Sequence, residues 1–152
     1  MAIRPRSGAA AAFRNALDLV ARRFHAAMLL NLRMLGEACI TQARTLGSYR
    51  DVTGNLRSSV GYVIVVDGQV VDANFEVTSG GALGMSAGER YARSLASQFS
   101  AGYVLIVVAG MNYAAKVESR GRDVLTSAEQ YCQLELPVVL KRLRDGINRM
   151  AA

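Results

Sequence analysis

Few side chains in this chain have nucleophilic or acid–base character. A hydrolase would have to be assembled from Ser58, Ser59, His25, Asp51 and Glu118, with a hydroxyl activated by an adjacent base that a third group orients. No G-x-S-x-G elbow is present to expose a serine on a strained turn. His25 is the only histidine and stands beside Arg22, Arg23 and Ala26, so it reads as a solvated or interface side chain on a helix flank. One imidazole also removes most zinc hydrolase and deaminase schemes. No catalytic, cofactor-binding or metal-ligating residue is assigned, and the chain reads as a non-enzyme.

Two further groups have chemical potential. Gly80, Gly81, Gly84 and Gly88 form a glycine-rich stretch, but neither phosphate-binding fingerprint is matched and no Lys-Ser or Lys-Thr follows. The expectation from Thr78 to Gly88 is a flexible loop. Cys39 and Cys132 are too few and too far apart for a disulfide framework or a zinc knuckle. Each falls near the apolar stripe of a helix, so both are expected to be buried thiols in a reducing compartment.

The elements that must position these groups follow from periodicity. The chain has 152 residues, 51% hydrophobic and 20% charged, which suits a single α+β domain over residues 9–152 behind a flexible basic arm, 1–8. Phe13, Leu17, Val20, Phe24, Met28, Leu32, Leu35, Cys39 and Ala43 recur at three- and four-residue steps, marking one face of a helix from about Ala9 to Leu46. Ser7 is placed to cap it and Gly47 to stop it.

Asp51 to Ser59 reads as a turn and a short helical segment. Asp67-Gly68 supplies the positive φ angles of a type I′ turn between strands Tyr62 to Val66 and Val70 to Val77. A short helix is expected from Ala87 to Phe99, a strand from Tyr103 to Ala109 and a helical turn from Asn112 to Glu118. Thr126 and Glu129 have capping-box spacing and open a C-terminal helix, which Pro137 is expected to bend or break near Glu135. The sum is a small, mainly antiparallel sheet of three or four strands packed by a long N-terminal helix and a kinked C-terminal helix.

The first helix carries the main physical inference. It would be roughly 55 Å long, whereas a compact chain of this size is about 40 Å across. Either it kinks around Gly36, or part of its apolar face packs on another subunit.

Charge points the same way. From Met1 to Arg50 eight arginines face only Asp18 and Glu37, so this third carries the whole formal net charge of +6. Arginine's planar fork suits phosphate or carboxylate partners. A basic nucleic-acid-binding module is therefore the alternative reading, although the arginines are spread around the helix and no aromatic interleaving accompanies them. The longest uncharged run, Ser94 to Ala115, is diluted by serines, Gln98 and Asn112, so no membrane span is expected.

Two local strings complete the pattern. Thr53-Gly54-Asn55-Leu56-Arg57-Ser58-Ser59-Val60, after a long helix, resembles the T-G-x-L-R-x-S-I/V segment of the gene-product-10-like tail-completion (neck) proteins of tailed bacteriophages and prophages. Asn112-Tyr113-Ala114-Ala115-Lys116-Val117-Glu118-Ser119-Arg120-Gly121 resembles that family's Y-A-x-x-V-E-x-G segment. The resemblance covers Phe13 to Ile147. The family's proline-containing anchor is replaced here by Asp123-Val124-Leu125-Thr126.

The resemblance implies a structural virion protein of the head-tail joint, made in the host cytoplasm. It implies a homo-oligomeric ring, a hexamer favoured, between a connector or adaptor and a tail-terminator or tail-tube protein, with non-specific contact to DNA in the channel. The residues expected at subunit or partner interfaces are Phe13, Leu17, Phe24, Met28, Arg22, Arg23, Arg57 and Glu118, with Arg57 and Glu118 as a candidate ion pair.

Overall fold

The computed structural model describes residues 8–151, so the cap expected from Ser7 and most of the basic arm lie outside the described residues. The first element is one long helix, α1 (Ala9–Leu46). It runs unbroken through Gly36, which serves packing: a Cβ there would sit 2.9 Å from the ring of Tyr62.

After a short helix, α2 (Asn55–Ser58), come β1 (Val60–Val66) and β2 (Gln69–Asn74). The turn between the strands has φ of 48° at Asp67 and 82° at Gly68, the left-handed pair that a type I′ hairpin requires. Next are α3 (Ala82–Ala96), β3 (Tyr103–Ala109), the short α4 (Ala114–Glu118) and the C-terminal helix α5 (Thr126–Ala151).

The sheet is antiparallel, with order β2-β1-β3. Its central strand explains the layering, because β1 is apolar at nearly every position and has to be covered on both faces. Val60, Tyr62 and Ile64 face Leu32, Leu35, Cys39, Ile40 and Ala43 of α1 and Ala128 of α5. Val63 and Val65 face Ala92 and Ala96 of α3. The result is three layers, with α1 and α5 on one side of the sheet and α3 on the other.

Three local expectations are corrected. The glycine-rich stretch is not a flexible loop: α3 begins at Ala82 and includes Gly84 and Gly88. These glycines let the helix lie directly on backbone, since a Cβ at Gly84 would run into Asn55 and one at Gly88 into the Ser59 carbonyl. Of the bend or break expected near Glu135, the break does not occur: α5 is one continuous helix through Pro137. Cys39 and Cys132 are joined as a disulfide across α1 and α5, with Cα atoms 6.5 Å apart, because helix packing closes the 93-residue separation that made pairing invisible in sequence.

The disulfide also marks how the two long helices run. Moving from Cys132 toward Tyr131, Glu135, Val139 and Arg142 on α5 leads to Ala38, Leu35, Met34 and Asn31 on α1, so the pair is antiparallel. Val139 and Leu143 are the buried contacts of the second half of α5.

Candidate functional site

The residues proposed for chemistry are not assembled. Ser58 is buried, with its hydroxyl donating to the Thr78 carbonyl at 2.9 Å and accepting from the Thr78 amide at 2.7 Å. The Ser59 hydroxyl donates to the Leu56 carbonyl at 2.7 Å. Asp51 accepts the Arg57 amide at 2.9 Å. His25 Nδ1 is bonded to the Tyr103 hydroxyl at 2.7 Å, beside the edge strand. Among the described residues no group of three or more His, Cys, Asp or Glu is placed to hold a metal, and no helix is long and apolar enough to cross a membrane.

The ion pair expected between Arg57 and Glu118 is not formed, because each side chain is engaged elsewhere. The Arg57 guanidinium lies over the Tyr49 ring, 5.6 Å from its centroid. Glu118 Oε1 accepts the amides of Leu125 and Thr126 at 3.0 and 2.9 Å and the Thr126 hydroxyl at 2.7 Å. Burial works against the ionised carboxylate, but the hydrogen bonds from Thr126, Leu125 and Val124 outweigh it and hold the carboxyl below its ordinary value. Thr126 is the first helical residue, and the carboxylates satisfying the start of α5 are Glu118 of α4 and Asp123, whose Oδ1 accepts the Ser127 amide at 3.2 Å, rather than Glu129.

Asn55 acts similarly, its Oδ1 accepting the amide of Gly84 at 3.1 Å in the first turn of α3. One residue in each of the two sequence strings therefore caps a distant helix. That function follows from unsatisfied amides at helix starts, but no spacing rule announces it.

Another polar set was missed. Glu37 on α1 accepts from the Tyr62 hydroxyl at 2.9 Å and from Asn74 Nδ2 at 2.6 Å, while Arg33 pairs with Asp72 at 2.6 Å. These contacts fasten α1 across β1 to β2. Burial, and after it the bond to Glu37, pushes the Tyr62 hydroxyl strongly up.

Among the described residues, the outer part of α1 is an apolar surface that the rest of the molecule leaves uncovered. Every residue from Ala9 to Arg23 is exposed, and Phe13, Leu17 and Val20 are 66%, 53% and 40% accessible. They continue the face that Leu32, Leu35, Cys39 and Ala43 bury further along. Phe24 and Met28, also expected at an interface, are half-buried and make contacts within the chain as well. Phe24 meets Tyr103 edge to face at 6.1 Å, and Met28 packs on the core.

A second uncovered region borders β3, whose outer edge has no strand partner among the described residues. There Leu32, Leu35, Leu105, Cys132 and Leu136 line a groove of about 470 Å³ with Glu129 among its walls. It adjoins a smaller one of about 280 Å³ through Leu105, Glu129 and Cys132. On α5, Leu134, Val138 and Leu140 also face solvent.

Antiparallel packing also redistributes charge. α1 before Leu32 and α5 beyond Leu136 together hold Arg14, Arg22, Arg23, Lys141, Arg142, Arg144 and Arg149 against Asp18 and Asp145. This helical end is strongly basic, a clustering invisible while the two segments are read separately.

The fold and these surfaces define a class: an α+β domain with one helix extending past its own core and an apolar groove at a sheet edge. No family model, curated protein or solved structure gives a significant match to the chain.

Proposed function

We propose that the protein is a non-catalytic structural subunit of a phage head-tail joint, a tail-completion or neck protein that assembles into a ring. A hexamer is favoured, lying between a connector or adaptor and a tail-terminator or tail-tube protein in the virion. The observation that carries this reading is the uncovered stripe Phe13, Leu17 and Val20. Burying three such side chains is worth about 1.5–3 kcal/mol each, and the molecule's own sheet and α5 do not reach them. The two sequence strings supply the identity of the assembly.

Light scattering across a concentration series at 0.5 M salt, alone and with neighbouring neck proteins, tests it. A closed oligomer that persists is expected, and a monomer under every condition overturns the reading.

A second reading, a nucleic-acid-binding module, draws on the basic end formed by α1 and α5. Several phosphate contacts would make DNA affinity fall on the order of a thousandfold between about 50 and 200 mM salt. A helix-packed ring lacks that dependence.

A further inference from the structure

We propose that the exposed N-terminal half of α1 from one copy seats in the apolar groove between β3 and α5 of a second copy, joining subunits head to tail. This rests on the assembly reading and specifies its contact.

At 100° per residue, Phe13, Leu17, Val20 and Phe24 share one narrow face, and Ala10, Ala16 and Ala21 border it. The small side chains allow a close approach of the helix to a groove floor. The groove supplies complementary surface, with Leu32, Leu35, Leu105 and Leu136 along the unpaired edge of β3. Its occupant cannot be the chain's own stripe, because Leu17 lies about 22 Å from Leu32 along the same straight helix.

Charge selects the pairing. Arg14 and Arg23 flank the stripe on opposite sides. Glu129 lines the groove and is in no ion pair among the described residues. A stripe-to-stripe pairing would bring arginines against arginines, whereas the groove offers the Glu129 carboxylate. The contact is also heterologous: each copy gives a helix and receives one, so the arrangement closes into a ring when the rotation permits.

The test places a photoreactive benzophenone amino acid at position 17 in the full chain, with light scattering on the same sample. Position 17 is solvent-facing, so folding is preserved, which circular dichroism verifies. Irradiation is expected to give covalent dimers whose linked peptides map to Tyr103–Val107 or Glu129–Leu136. Cross-links to Ala9–Phe24 of the second copy, or assemblies without a groove cross-link, overturn the seat and leave the ring reading standing. Monomers that yield no cross-link overturn both.

Discussion

Removing the Glu118 carboxylate tests the structural account most directly. Its Oε1 receives three donors from the start of α5, at 3.0, 2.9 and 2.7 Å. Glu118→Ala leaves two backbone amides without a protein acceptor, a loss of about 1–3 kcal/mol that water offsets in part because the site is half-buried. Loss of the anion at a helix N-terminus adds about 0.3–1 kcal/mol. A total near 2 kcal/mol is expected. Glu118→Gln keeps an acceptor oxygen and should cost about 1 kcal/mol.

The pH dependence has a definite sign. A carboxyl held below the ordinary 4.5 stabilises the fold at higher pH, and that contribution is lost as pH falls through the folded-state value. Urea midpoints at pH 7 and in acid should therefore show the gap between wild type and Glu118→Gln shrinking below about pH 4.5. Equal gaps at both pH values, or a Glu118→Ala cost under about 0.5 kcal/mol, would refute the reasoning. In a double-mutant cycle, Arg57→Met and Glu118→Gln should add within about 0.5 kcal/mol, because the two side chains do not meet.

Reducing the Cys39–Cys132 bond releases a loop spanning 93 residues, which in the chain-entropy treatment costs about 4.6 kcal/mol. Urea unfolding with and without reductant reads this, and an unchanged midpoint would contradict it. Gly36→Ala forces the Tyr62 ring aside and should cost about 1–3 kcal/mol, measured by thermal melting. Tyr62→Phe leaves Glu37 with Asn74 alone and should cost about 1 kcal/mol. In alkaline absorbance titration of the wild type, Tyr62 should ionise after the exposed tyrosines.

The hairpin was legible in sequence because Asp67-Gly68 is a local signal: two adjacent residues determine the turn whatever surrounds them. The long first helix was legible for a related reason, since its period repeats over ten turns. The start of α3 was not, because Gly84 and Gly88 mean flexibility when read locally and close approach to Asn55 and Ser59 once the fold is formed. The disulfide, the Glu118 cap and the basic end of α1 and α5 share that character. Each joins segments whose adjacency arises only from packing. The uncovered stripe lay between these cases, its existence readable from periodicity and helix length, and which residues are left exposed only from where the rest of the fold stops covering α1.

Mechanically, α1 is a cantilever. Its base is clamped by the disulfide to α5, by Glu37 and Arg33 to the hairpin, and by the Tyr62 ring seated on Gly36, whereas its outer turns project beyond that clamp. A tilt of about 5° at the fulcrum would carry a tip about 20 Å away through nearly 2 Å. The orientation of anything gripping the tip is therefore dictated by side chains buried far from the point of grip.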